Sequence, residues 1–474
     1  MESLISTSIK TLTDFLPGIE EKIKQKNLSN AFVSVIAAQT EVPFISSLNN
    51  SIKLFERSFY FEQPNKKFAV LGLDEAVSIS ENGEGRFAVT DKKIKEIKST
   101  FINNWKNLDK KHIPLFLGGM KFTPEHADVD WQDFNDSSWF VPEIMLLKHA
   151  HNNFLFVNFY FSVNSSKEAL VKKFQSKLEK LLKENPQNSN PPVPKVFKSD
   201  GNTPKDKKKW KNLVSDVLEK IEEKQVDKVV LSRKVEMLLS EELNLDYVME
   251  KFRTNYPECY LFVFHRGKSS FFGATPEKLA KFSGGRIEID ALAGSAARGK
   301  DKTEDEELEK MLLNDPKNLH EHNLVIEHIK NSISGITDNF NLETHCEIKK
   351  LANIQHIWSK ISAGLNSNNS MFSLLKELYP TPAVCGLPKD TAQQIIKKIE
   401  GYKRGLYTGI VGWFNFDDEA EFAVALRAAL ATNNKLIAYA GGGIVENSNP
   451  DAEYKETELK LKTILSLFSD ENKN

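Results

Sequence analysis

Several stretches of this chain carry side chains of the kinds that do chemistry. Near the C-terminus, Asn449-Pro450 reads as a helix start, an N-cap followed by proline at the first helical position. Leu461, Ile464, Leu465 and Phe468 then form an i, i+3, i+4, i+7 stripe that must face a core. Glu453, Glu456 and Lys460 share the adjacent face, which on spacing alone is a salt-bridging surface. Just upstream runs AYAGGGIV. Consecutive glycines after a strand let backbone approach a ligand closely and turn amides toward an anion, although a tight turn accounts for them equally. No Gly-Lys-Ser/Thr follows, so this is not a P-loop. In HEHNLVIEHIKNSI, Val325, Ile329 and Ile333 set a core stripe and His320, Glu321 and His322 fall in the first helical turn. The zinc pattern of two histidines four apart is missing there. A single carboxylate projecting from a first turn suits Mg²⁺ instead, which binds one or two carboxylates and keeps waters. In FFGATPEKLAKF, Glu277 follows Thr275 and Pro276 as if on the first turn of a helix, where a carboxylate complements the dipole. Lys228 stands inside the apolar run DKVVLSRKV. Exposed, it is an ordinary edge lysine; buried, it is a candidate base.

The elements that must position these groups follow from length and pattern. The chain has 474 residues, enough for one large or two medium domains. Hydrophobic residues make up 40% and charged residues 27%, ordinary for a globular protein. The formal net charge is -1, from 64 basic and 65 acidic residues, so the chain lacks the basic excess of a nucleic-acid binder. Any anionic ligand must be held by a local cluster. The lysine run Lys205–Lys209 reads as solvated. Cys259, Cys346 and Cys385 form no CxxC pair, which fits a reducing cytoplasm. No apolar run reaches the length of a transmembrane helix, and the N-terminus lacks the pattern of a secretory signal. It reads as an amphipathic helix with Leu4, Ile5, Ile9, Leu12 and Phe15 on one stripe.

Residues 1–184 read as mixed α/β, with strands over FVSVIAA, KFAVLGLDEAVSI, PLFLGGMKF and FLFVNFYF and a helix over SSKEALVKKFQSKLEKLLKEN. Gly118-Gly119 signals a bulge or close backbone approach. The proline-rich stretch 185–209 reads as a linker or surface loop. From 210 to 468 hairpin-like strand pairs alternate with helices, among them EFAVALRAALAT as a strand and FSLLKELY as a helix. This organisation points to α+β architecture with antiparallel sheets rather than a doubly wound parallel sheet.

Taken in order, DKVVLSRK, GATPEKL, LAGSAARG, NLHEHNLV, YPTPAVCG, YKRGLYTGIVGW, VALRAAL, AGGGIV and AEYKETELK resemble the chorismate-utilising enzymes. That family includes isochorismate, salicylate, anthranilate and aminodeoxychorismate synthases. The resemblance is dense over 210–467 and looser before it, where FYFEQPNKKFAVLGLDEA, LFLGGMKF and WFVPEIML are similar to the family's N-terminal segment. It implies a single large two-lobed domain, with extended antiparallel sheets flanked by helices. Ammonia-using members typically carry Gln where this chain has Lys228, and the aminodeoxychorismate type carries a Lys where this chain has Ala293. The pattern therefore resembles the water-using branch, and Ala383 in YPTPAVCG resembles its isochorismate type more than its salicylate type.

The resemblance implies a role for each of these residues. Lys228 would take a proton from the water attacking C2 of chorismate, and Glu277 would protonate the departing C4 hydroxyl. Glu321 and Glu456, with Glu453 close by, would hold Mg²⁺ against the ring carboxylate. Arg427, amides near Gly441, and Lys460 would meet the remaining negative charge. Gly294, Ser295, His356, Ala383 and Tyr407 would line the pocket. A salicylate synthase would take the same first step and then expel pyruvate. No glutaminase subunit is expected, since water replaces ammonia; a cytoplasmic monomer that binds neither nucleic acid nor membrane is. One departure stands out: Arg404 is followed by Gly405, where some members have an acidic residue.

Overall fold

A computed structural model describes residues 2–40, 48–105, 112–124, 128–183, 193–351 and 354–468. Two large sheets carry the fold, antiparallel except where Asn30–Thr40 runs parallel to Phe101–Asn103. The larger sheet runs Val196–Asp200, Lys228–Leu239, Lys435–Val445, Ala428–Thr432, Ser269–Thr275, Tyr260–Arg266, Arg57–Gln63, Phe68–Leu73, Ile144–His149, Asn152–Ser162, Asn30–Thr40 and Phe101–Asn103. The smaller runs Thr337–Lys350, Ile354–Leu365, Arg286–Ala297, Lys278–Ser283, Ala420–Val424, Ile410–Phe414, Phe116–Met120, Ser137–Val141 and Val77–Glu81. The α+β expectation with antiparallel sheets and flanking helices is met, and strands from both ends of the chain share both sheets.

Apart from its exposed edge strand Val196–Asp200, the larger sheet is largely buried on both faces, so its central strands read as near-continuous apolar runs. Phe59, Phe61, Phe262, Phe264 and Phe271 face an aromatic core shared with the smaller sheet. In that core Phe116 stacks on Phe414 at 4.7 Å and Trp139 meets the same ring edge-on. Tyr60, Leu261, Val263 and Phe272 face the other way, toward the helices Glu2–Gln25, Lys167–Lys183 and Leu245–Asn255. The first of these helices buries Ile5, Leu12, Leu16, Ile19 and Ile23, so its core stripe runs past the one read at its start. Among the described residues no helix is long and apolar enough to cross a membrane.

Several elements differ from their sequence reading, each for a physical reason. KFAVLGLDEAVSI is two strands: the chain leaves the larger sheet at Leu73, turns through Asp74 at φ 60°, and enters the smaller sheet at Val77. EFAVALRAALAT likewise divides between the sheets, with Arg427 at the corner. Of the stretch read as a loop over 185–209, residues 185–192 lie outside the described residues. Val196–Asp200 pairs with Lys228–Leu239, and a helix starts at Pro204 on a capping box between Thr203 and Asp206. The whole lysine run Lys205–Lys209 is therefore helical, and Lys207 and, one turn on, Lys211 reach Asp451 at 3.2 and 2.7 Å. Gly118-Gly119 makes no bulge. A Cβ on Gly118 would lie 2.0 Å from the Ser138 carbonyl oxygen and one on Gly119 2.3 Å from that of Ile410, so these glycines serve close strand approach.

Gly405 explains the departure after Arg404. Its φ is +56°, and a Cβ there would sit 2.0 Å from the buried Trp131 indole. Gly405→Ala combines left-handed strain with overpacking, and should destabilise the protein by about 2–4 kcal/mol. Thermal unfolding of the variant checks this; an unchanged midpoint would show that the turn can relax.

Candidate active site

One cavity lies where the two sheets meet at the corner around Arg427. Its wall includes Lys228, Glu277, Gly294, Ser295, Glu321, His356, Ala383, Tyr407, Arg427, Gly441, Glu456 and Lys460. Every candidate residue from the sequence is thus in this wall except Glu453. That side chain is buried behind it, its Oε2 against Gly442.

Lys228 opens the strand Lys228–Leu239 and is only 5% exposed, which excludes the solvated-edge reading. Its Nζ donates to Glu321 Oε1 at 2.6 Å. Across the ladder lies the glycine run, which is strand and not turn: Gly441, Gly442 and Gly443 pair with Ser232, Leu231 and Val230. A Cβ on Gly443 would stand 2.9 Å from Lys228 Cε, so this glycine makes room for the lysine stem. Glu321 projects from the helix Pro316–Ile333, which starts earlier than read because Asp315 accepts from the amides of Lys317 and Asn318. Glu321 accordingly stands beyond the first turn, where no acidic residue occurs.

Glu277 is on no helix. Ser269–Thr275 and Lys278–Ser283 are both strands, and Pro276-Glu277 is the crossing between sheets. The Thr275 hydroxyl donates to the Val424 carbonyl at 2.6 Å, and the Val424 amide donates to the Glu277 carbonyl at 3.1 Å. The expected pull of a helix dipole toward the ionised form is therefore gone. Burial instead pushes the carboxyl up to about 7; Asp290 adds to this, while Lys349, Lys228 and Lys460 oppose it. A carboxyl poised there can act as an acid near neutral pH.

The remaining wall is built for anionic oxygen. Arg427 sits at φ 49°, a strained conformation for a non-glycine residue, and is 8% exposed. Its guanidinium makes no hydrogen bond or ion pair among the described residues, and burial lowers its proton affinity. A buried arginine whose guanidinium lines a cavity can receive a planar carboxylate there. Tyr407 lies beside Gly441, its ring stacked on Tyr439 at 5.0 Å. Gly294, at φ 74°, is the bulge residue in Arg286–Ala297, and a Cβ there would press on Asn318. The bulge brings Ser295 Oγ to 2.8 Å from His356 Nδ1. Burial, then Arg427 and Lys460, push that imidazole down to about 3, so it is neutral across the working range.

The helix Pro450–Leu465 starts as expected, with the Asn449 side chain accepting from the amides of Asp451 and Ala452. Lys460 Nζ contacts Glu456 Oε1 at 2.7 Å and the Gly441 carbonyl at 2.9 Å. Burial would raise the Glu456 carboxyl, but Lys460 outweighs it and holds it below the usual range. Burial and the neighbouring Glu456 push Glu453 up to about 7. No group of three His, Cys, Asp or Glu side chains stands ready to hold a metal among the described residues. Glu321 and Glu456 do offer hard oxygen donors to one cavity, and each already has a lysine nitrogen within 2.7 Å. That donor set fits Mg²⁺ completed by water and ligand oxygens.

Sequence reasoning missed part of the support. Arg404, 2% exposed, bonds Glu400, the Val384 carbonyl at 2.9 Å and the Val230 carbonyl at 2.6 Å, tying two walls of the cavity together. A lone arginine before a glycine gave no signal of that role.

Residues 18–469 match the chorismate binding enzyme family. The chain is 29% identical over 458 residues to isochorismate synthase MenF of Bacillus subtilis, covering 95% of this chain and 96% of that one. It is 31% identical over 417 residues to the salicylate biosynthesis isochorismate synthase of Pseudomonas aeruginosa, covering 86% and 84%. Its fold matches the menaquinone-specific isochorismate synthase MenF of Escherichia coli with a TM-score of 0.77, at 21% identity over 97% of this chain and 99% of that one.

Proposed function

The chain belongs to the chorismate binding enzymes, and on that premise we infer that it is an isochorismate synthase, an isomerase converting chorismate to isochorismate. The observation that carries the reading is one cavity holding a buried lysine, a carboxyl raised to about 7 and an arginine with no hydrogen bond or ion pair among the described residues. Chorismate offers two carboxylates and an allylic hydroxyl to that set.

We propose the following roles. Arg427, with backbone near Gly441 and the Tyr407 hydroxyl, receives the enolpyruvyl carboxylate. Gly294, Ser295, His356 and Ala383 set the ring's position. Lys228 takes a proton from water as its oxygen bonds to C2. Both ring double bonds shift, C1=C2 to C1=C6 and C5=C6 to C4=C5, the C4–O bond breaks, and Glu277 gives its proton to the leaving hydroxyl, which departs as water. Proton return from Lys228 to Glu277 through solvent closes the cycle. Glu321 and Glu456, with Glu453 behind them, would hold Mg²⁺, whose charge would offset the ring carboxylate beside two glutamates. No amine donor is needed, so the enzyme works without a glutaminase.

Purified protein incubated with chorismate and Mg²⁺ tests the reading. A species of unchanged mass, formed reversibly, is expected; salicylate with pyruvate would move the chain to the lyase-coupled relative, and no conversion would refute catalysis. A chelator should abolish turnover and added Mg²⁺ restore it. Arg427→Gln removes charge-assisted hydrogen bonds of about 1.5–3 kcal/mol, so the KM for chorismate should rise about 10- to 100-fold. Steady-state kinetics check this, and an unchanged KM would place the carboxylate elsewhere.

A further inference from the structure

The crossing that carries Glu277 is held from behind by a charged cluster outside the cavity wall. Lys349, near the end of the edge strand Thr337–Lys350, reaches inward across the sheet. Its Nζ donates to the Pro276 carbonyl at 3.1 Å and to Asp290 Oδ2 at 3.2 Å. The Asp290 side chain is almost fully buried, and Lys278 forms an ion pair with its other oxygen at 3.1 Å. Lys278 directly follows Glu277, so the cluster grips the crossing on both sides of the acid. Lys349, three-quarters buried as a side chain, spends its ammonium on one backbone carbonyl and one shared carboxylate.

We propose that Lys349, balanced by Asp290, is a positioning residue that fixes the Pro276-Glu277 crossing and sets the electrostatic field at the Glu277 carboxyl. The proposal rests on the reading of Glu277 as the acid. Geometry supplies its first part: among the described residues the other bonds on the crossing come from Thr275 and Val424, and only Lys349 holds the Pro276 carbonyl. Charge supplies its second. Lys349 and Asp290 act on Glu277 from behind with opposite sign, while Lys228 and Lys460 act from the cavity side. Neither Lys349 nor Asp290 is in the cavity wall, so substrate contact cannot account for an effect of either.

The test is the pH dependence of kcat for Lys349→Met, Lys349→Arg and Asp290→Asn at fixed saturating Mg²⁺, alongside Glu277→Gln. A loosened crossing in Lys349→Met should lower kcat about 10-fold with the KM for chorismate little changed. Its alkaline limb should move to higher pH, because a positive charge has left the acid. Asp290→Asn should move the limb to lower pH, and Lys349→Arg should restore both rate and limb. Circular dichroism and thermal unfolding report the folded fraction, against which rates are normalised. If the normalised kcat and limb of Lys349→Met match those of the parent, the proposal is overturned. If Glu277→Gln itself keeps its turnover, the acid reading fails first, and the two failures are told apart.

Discussion

Glu277→Gln should lower kcat about 10³-fold, within the range general acid catalysis contributes, while the KM for chorismate changes little. Glutamine keeps the shape of the side chain and the carbonyl facing the ring but has no proton to give. The carboxyl it replaces is held at about 7, first by burial and then by Asp290. The parent's kcat should therefore fall as pH rises through about 7, where the acid form is lost, and the residual rate of the variant should lack that limb. Stability supplies a second readout of opposite sense. A carboxyl whose folded value lies above its unfolded one stabilises the fold below the unfolded value, and that contribution is lost as pH rises through about 7. Above neutrality the parent carries a buried charge that glutamine removes, so the variant should unfold at a higher temperature than the parent at pH 8 and not at pH 5. A variant as active as its parent would remove Glu277 from the chemistry.

Legibility of the fold followed how local each determinant is. The start of Pro450–Leu465 was legible because Asn449 caps it with its own side chain, a bond formed within three residues. The same local grammar misled at Thr275-Pro276-Glu277, where an N-cap pattern sits between two strands. There the pairing of Lys278–Ser283 with Ala420–Val424 overrides a helix that has no room to form. The corner at Arg427 was illegible as structure because both flanking strands are apolar and read as one. The residue types around the cavity were legible only as ordered motifs, since a lysine in a strand or a glutamate on a helix carries no chemistry alone. Lys349 gave no signal at all: its strand alternates half-buried and exposed residues, and its partners Pro276 and Asp290 lie far off in sequence.

Lys228→Gln should be the most damaging single change at the other end of the substrate, with kcat falling about 10³- to 10⁴-fold. The lysine is 5% exposed and bonded to Glu321 at 2.6 Å, and the absence of a side chain at Gly443 leaves space for its stem. Glutamine can still donate to Glu321 from that space, so fold and Mg²⁺ response should persist while water activation is lost. Gly443→Ala separates position from identity. Its Cβ would press on Lys228 Cε at 2.9 Å in an otherwise permitted backbone conformation, so the base stays but moves. Its kcat should fall about 10- to 100-fold, the scale of a displacement near an ångström, with little loss of stability. Turnover near the parent's in Lys228→Gln would refute the base assignment. Loss in Lys228→Gln with none in Gly443→Ala would show instead that the lysine reaches its water from more than one position.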